Sequence, residues 1–167
     1  MLNEIPDGLL ENTNGWLITD RYFPNTRLRL RHMKSISGNE NIYKLTQKYR
    51  SETQNVYETT ITNLYLSETE HKHLEPVEAK MIQKKRYPYK VQNYDFSIDV
   101  FEGRHQSLIL AEREFEKQAE ADEFVLPSFV LKDVTGDPFF TGGDLVMMTE
   151  EEFRQGLSQR IRDHQNL

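Results

Sequence analysis

The 167-residue chain contains no cysteine, which excludes disulfides and thiolate metal sites. No apolar run approaches about 18 residues, the length a membrane helix needs. The start lacks a basic segment followed by an apolar core, so no signal peptide is read there, and the expected compartment is the cytoplasm. Positive charge is not in excess: 21 Lys and Arg stand against 27 Asp and Glu, for a net charge of −6. That balance argues against nucleic acid or an anionic membrane surface as the main partner, but not against a small anion held in a local basic pocket. There is no glycine-rich phosphate loop, no internal repeat and no low-complexity linker, and no serine or histidine arrangement suggests a nucleophile. What remains is a polar but globular composition, 37% hydrophobic and 29% charged. The length suffices for one buried core, and a single domain is expected over residues 1–167.

The pattern is mostly that of strands. Trp16 to Phe23 reads as one, with Trp16, Ile18, Asp20 and Tyr22 on one side. Thr26 to Arg31 alternates strictly, Arg27, Arg29 and Arg31 against Leu28 and Leu30. Ile42 to Arg50 places Lys44, Thr46, Lys48 and Arg50 on one face, and Thr53 to Leu66 has strand composition. Ser67-Glu68-Thr69-Glu70 has capping-box spacing and predicts a helix start, which Pro76 limits. Ala79 to Tyr89 carries Lys84-Lys85-Arg86-Tyr87. Asp95 to Phe101 and Leu108 to Glu116 flank a turn at Glu102-Gly103-Arg104 and read as a hairpin. In it Asp99, Glu112 and Glu114 share one sheet face, with Glu116 pointing the same way. Lys117 to Phe124 suits a short helix. Thr149-Glu150-Glu151-Glu152 is a second capping box, opening a C-terminal helix over about 150–163.

The charges on these strands come in blocks of one sign. Arg27/Arg29/Arg31, Lys44/Lys48/Arg50 and Lys84/Arg86 are cationic, and Asp99/Glu112/Glu114 anionic. Alternation alone favours an ordinary sheet with its charges in water. The other arrangement is a sheet closed on itself, with charges lining the inside and helices on the outside. Buried unpaired charge costs several kcal/mol per ion, so such a tunnel needs occupants: a polyphosphate for the cations and Mg²⁺ or Mn²⁺ for the carboxylates.

The order of these motifs resembles the CYTH domain of the triphosphate tunnel metalloenzymes. The matching pieces are Leu28-Arg29-Leu30-Arg31, Leu45-Thr46-Gln47-Lys48, Lys84-Lys85-Arg86-Tyr87, Ile98-Asp99-Val100-Phe101-Glu102-Gly103, Leu110-Ala111-Glu112-Arg113-Glu114-Phe115, and Pro127 followed by Asp133-Val134-Thr135. The resemblance implies an α+β fold, a closed or nearly closed antiparallel β-barrel with helices packed outside, its core at about residues 5–148. It implies a metal-dependent enzyme acting on inorganic or organic triphosphate, or less readily a cyclase of ATP. Arg29, Arg31, Lys48 and Arg86 would grip phosphate oxygens, Lys84 would assist, and Asp99, Glu112 and Glu114 would hold Mg²⁺ or Mn²⁺. Glu58 matches the first of two acidic residues that the family carries on its strand, the second position being Thr60.

Two departures bear on activity. The family's first-strand signature, Glu-x-Glu-x-Lys, is missing from a chain that begins Met1-Leu2-Asn3-Glu4-Ile5-Pro6. The family's Asn-Lys pair near the C-terminus is replaced by Thr141-Gly142-Gly143-Asp144. The expectation is therefore a chain that binds triphosphate and turns it over poorly, with a non-catalytic polyphosphate- or nucleotide-binding module as the alternative. An exposed barrel edge would invite a homodimer. Elsewhere His71 and His73 are read as residues of a surface helix, Trp16 as core and Met147-Met148 as packing.

Overall fold

A computed structural model describes residues 1–12, 14–49, 60–91 and 93–165. Among the described residues seven strands form one antiparallel sheet: β1 (Trp16–Tyr22), β2 (Leu28–Ser35), β3 (Asn41–Tyr49), β4 (Thr60–Leu66), β5 (Lys80–Val91), β6 (Tyr94–Phe101) and β7 (Ile109–Glu112). Across the sheet the order is β4-β3-β2-β1-β5-β6-β7. The α-helices of the described residues are α1 (Glu68–Leu74), α2 (Gln118–Asp122), α3 (Gly142–Leu145) and α4 (Glu150–Gln165). No helix among the described residues is long and apolar enough to cross a membrane.

Register decides what each face carries. Asp20 pairs with Arg31, Tyr22 with Arg29, Arg29 with Thr46 and Arg86 with Asp99. Directly paired residues project to the same side, so the arginines of β2 and the Lys84/Arg86 run of β5 lie on the Asp99 face. The opposite face is largely apolar around β5 to β7. There Tyr87, Phe96, Ile98 and Ile109 bury themselves with Leu2 and Leu9. Pro88 is tolerated inside β5 because β1 ends its pairing at Trp16–Arg86, so no partner on that side requires its missing N–H.

The second core lies on the charged face, at one end. Phe139, Phe140, Leu145, Phe153 and Leu157 pack with Ile82, Phe101 and Leu110, with Tyr22 at the margin. Here α3, α4 and the short turn Pro138–Phe140 cover the Tyr22 end of β1.

A closed or nearly closed barrel was expected; the sheet is not closed, since among the described residues no ladder joins β4 to β7. Two features explain this. The anionic strand is shorter than the hairpin reading predicted and ends at Glu112. Its free edge is also occupied, because Leu2 N–H donates to the Ile109 carbonyl at 3.0 Å. The sheet is nevertheless strongly curled. Lys48 on β3 and Glu112 on β7 are five strand spacings apart, about 24 Å in a flat sheet, yet the Glu112 carboxylate acts on the Lys48 charge. The charged face is therefore the inside of a trough.

Both capping boxes form. Ser67 Oγ accepts from Glu70 N–H while Glu70 accepts from Ser67 N–H, and Thr149 and Glu152 do the same for α4. Replacing Ser67 by Ala should lower stability by about 1 kcal/mol in urea denaturation; an unchanged midpoint would mean that α1 gains nothing from its cap. The helix also differs from expectation in one residue. His73 is exposed, but His71 is buried against Tyr43 and His32, with ring centroids 4.8 and 5.7 Å away. It faces inward because α1 docks on β3 and β4.

Candidate functional site

The trough is built on two buried carboxylates. Asp20 is 2% exposed and Asp99 0%. Asp20 lies at the fifth position of β1, on the side shared with Ile18. Arg31 clasps it with two bonds, Nε to Oδ1 at 2.6 Å and Nη2 to Oδ2 at 2.7 Å, a bidentate geometry that fixes both partners. Burial pushes the Asp20 carboxyl up, but the Arg31 hydrogen bonds and the charges of Arg31, Arg29 and Lys84 outweigh it and hold the pKa at about 2.

That shift sets a pH window. A carboxyl whose folded pKa lies below its unfolded value of 3.8 adds stability above that pH and loses it as pH falls toward about 2. The contribution is about 2 kcal/mol. Followed by carbon-13 NMR, the Asp20 carboxyl should titrate near about 2; a midpoint near the ordinary value would contradict the Arg31 clasp.

Asp99 is more heavily engaged. Arg86 donates from Nε to Oδ1 at 2.6 Å and from Nη2 to Oδ2 at 2.7 Å, and Lys84 Nζ donates to Oδ2. Burial again raises this carboxyl, and Lys84 and Arg86 more than reverse it, leaving its pKa below the usual range. Arg86 also reaches Glu112, which is half-exposed at the end of β7.

The remaining cations are less committed. Arg29 is 8% exposed. Its Nη2 donates to Thr46 Oγ1 at 3.4 Å, but its buried Nε has no hydrogen-bond partner among the described residues and meets Asp20 only at ion-pair range, 3.6 Å. Thr46 is itself fixed by donating to Asn63 Oδ1 at 2.8 Å. Lys48 has no carboxylate within ion-pair distance among the described residues. Crowding by protein, together with the Arg29, Arg31 and Lys84 charges, lowers its ammonium to about 8 despite Glu112. Its side chain stays open to solvent, which screens part of that repulsion. Among the described residues of this trough Arg29, Arg31, Lys48, Lys84 and Arg86 thus face Asp20, Asp99 and Glu112, an excess of positive charge.

The structure therefore brings together Arg29, Arg31, Lys48, Lys84, Arg86, Asp99 and Glu112. It does not bring Glu114 in, since that residue lies beyond the end of β7 and is exposed; Arg113 between them turns to the aromatic rings of Tyr94, Phe115 and Phe124. Glu58 lies outside the described residues. Among those described, no three of His, Cys, Asp and Glu are gathered to hold a metal, because the trough carboxylates are already taken by cations. Sequence reading missed Asp20 and Thr46 as parts of the site. The signal for Asp20 was a carboxylate in the otherwise apolar series Trp16, Ile18, Tyr22. The letters Glu-x-Glu-x-Lys do occur, at Glu68-Thr69-Glu70-His71-Lys72, but on α1. There Glu68 ion-pairs with Lys72 at 2.6 Å and Glu70 serves the cap, so this string has no part in the trough.

No family model matches the sequence. Over 78 residues the chain is 30% identical to a curated inorganic triphosphatase of Acetivibrio thermocellus, a stretch that makes up 47% of this chain and 49% of that protein. The chain thus spans about half the length of that relative. The crystal structure of the inorganic triphosphatase NE1496 superposes with a TM-score of 0.59 at 25% identity, covering 89% of this chain and 94% of that one. A crystal structure described as that of the hypothetical protein NE1496 superposes with a TM-score of 0.59 at 24% identity, over 88% of this chain and 93% of that one. With the sequence motifs met in family order along the trough strands, these likenesses support assigning the chain to the CYTH, or triphosphate tunnel metalloenzyme, superfamily.

Proposed function

We propose that the trough binds a triphosphate and hydrolyses its terminal phosphoanhydride bond. The observation that carries this is the excess of cations on one concave face, with Arg29 Nε and the Lys48 ammonium uncommitted among the described residues. A triphosphate supplies the missing negative charge, and guanidinium forks match its oxygens. Arg29, Arg31 and Lys48 line one side of the trough and Lys84 and Arg86 the other. An anion lying between them is held from both directions.

In the reaction, water adds its oxygen to the terminal phosphorus, and the bond from that phosphorus to the bridging oxygen breaks. Orthophosphate and the shortened phosphate chain leave, and the water proton passes to solvent or to a carboxylate. Arg29, Arg31, Lys48 and Arg86 hold the equatorial oxygens, where charge spreads in the transition state. Lys84, buried on β5, is placed to offset charge on the bridging oxygen. Glu58 is the carboxylate assigned to take the proton.

The carboxylates suit a hard divalent ion in kind, though not as the site stands. Asp99 and Glu112 share Arg86 as a partner, so a phosphate that captures Arg86 frees oxygens on both. Those two residues are the ones that would hold Mg²⁺ or Mn²⁺, while Glu114, exposed beyond the end of β7, stands outside the set. Such an ion, when bound, supplies charge neutralisation and polarises a phosphoryl oxygen. The likeness to an inorganic triphosphatase over most of both chains supports hydrolysis over passive holding.

The test is orthophosphate release from tripolyphosphate, with and without Mn²⁺. Turnover that Arg86→Ala abolishes supports the reading. Saturable binding without turnover would leave a polyphosphate-binding module.

A further inference from the structure

A row of side chains crosses the charged face at right angles to the strands. Tyr22 pairs with Arg29, Arg29 with Thr46 and Thr46 with Asn63, so these residues of β1 to β4 project to one side in line. On that side of β4 Asn63 stands between Ile61 and Tyr65, and it alone supplies a carbonyl.

Directed hydrogen bonds join the β2 to β4 part of the row. Thr46 is 0% exposed. Its hydroxyl donates to Asn63 Oδ1 at 2.8 Å and accepts from Arg29 Nη2 at 3.4 Å. A hydroxyl has one proton and two lone pairs, and a carbonyl oxygen only accepts. Asn63 therefore holds the Thr46 proton on its own side and leaves the lone pairs to the arginine. Without that carbonyl the proton is free to swing toward Arg29, where it meets another donor and the bond is lost. On its β1 side the guanidinium meets the Tyr22 hydroxyl and, at an ion-pair distance of 3.6 Å, Asp20, whose hydrogen bonds go to Arg31. On its β3 side Thr46 is the partner that fixes Nη2, and a fixed Nη2 sets the plane in which the unpartnered Nε is presented.

We propose that Asn63 and Thr46 are positioning residues for Arg29: Asn63 orients the Thr46 hydroxyl, and that hydroxyl holds the guanidinium fork toward the phosphates of the bound triphosphate. Neither residue has to touch the ligand. Asn63 acts through Thr46, and Thr46 through Arg29, so a contact three strands wide supports a single donor. The inference rests on the trough reading above.

The test is calorimetric titration of tripolyphosphate into the metal-free protein. Asn63 is exposed, so its truncation leaves the core intact. Asn63→Ala should weaken binding about threefold to tenfold, the worth of one hydrogen bond. Thr46→Val keeps the shape without the hydroxyl and should weaken binding at least as much. Thr46→Ser restores the hydroxyl and should bind within about twofold of wild type. The deciding readout is a double-mutant cycle. In an Arg29→Ala background Asn63→Ala should cost nothing more, because the residue it acts through is gone. The inference is overturned if wild type binds and Asn63→Ala binds equally tightly. It is also overturned if Asn63→Ala weakens binding as much without Arg29 as with it, which would make Asn63 a direct contact or a general structural residue. Failure of wild type to bind tripolyphosphate would overturn the trough reading itself, and this inference with it.

Discussion

Replacing Asp99 by Ala should destabilise the protein by about 3–5 kcal/mol, a typical cost of removing one partner from a buried ion pair. The reason is the pair of cations left behind. Lys84 is 7% exposed, and with Arg86 it surrounds a carboxylate that has no access to water. Without that carboxylate two positive charges share a desolvated site, and only Glu112 remains near one of them. The same variant carries a second signature. An anion that fills the gap stabilises the folded state by mass action, about 2.7 kcal/mol at a ligand concentration a hundred times its dissociation constant. Tripolyphosphate should therefore raise the melting temperature of Asp99→Ala by more than that of wild type. Urea and thermal denaturation with and without tripolyphosphate check both parts. A variant as stable as wild type would show that Lys84 and Arg86 do not depend on Asp99.

Arg29 behaves in the opposite way, with little structural and large functional effect. Arg29→Ala should lower kcat/KM for triphosphate hydrolysis by about 10²–10³, the range seen when one preorganised charge-stabilising donor is removed. Its stability should fall less than that of Asp99→Ala, because Asp20 keeps both bonds from Arg31 and Thr46 keeps Asn63. The buried Arg29 Nε has no hydrogen-bond partner of its own among the described residues, so what the residue holds in reserve is for a ligand. Arg29→Lys retains the charge but loses the fork and should fall between the two. Steady-state kinetics beside urea midpoints test this. A loss of activity matched by an equal loss of folded protein would make Arg29 structural.

The strands were legible because their side chains alternate over five or more residues, as in Thr26 to Arg31 and Asp95 to Phe101, and a period of two fixes both strand and face. Both capping boxes were legible from four residues each. The second hairpin strand was overread. Glu112, Glu114 and Glu116 keep the alternation, but after Glu112 the Arg113 side chain takes its place among Tyr94, Phe115 and Phe124, and tertiary packing overrides the pattern. Closure of the sheet was not legible at all, because it depends on which backbone reaches the edge of β7, and Leu2 is paired there. In the site, the cations were found through their blocks of like charge. Asp20 was hidden by its apolar neighbours, and its role is set by Arg31, a cross-strand partner that only the register reveals.

The most direct test of the account is calorimetric titration of tripolyphosphate into the metal-free protein at two salt concentrations, in wild type and in Arg29→Ala. A trough of uncompensated cations predicts one saturable site, weakened by added salt as screening requires and weakened at least about tenfold in Arg29→Ala. Absence of saturable binding to wild type, or binding that ignores both salt and Arg29, would contradict the claim that this face of the sheet is a phosphate site.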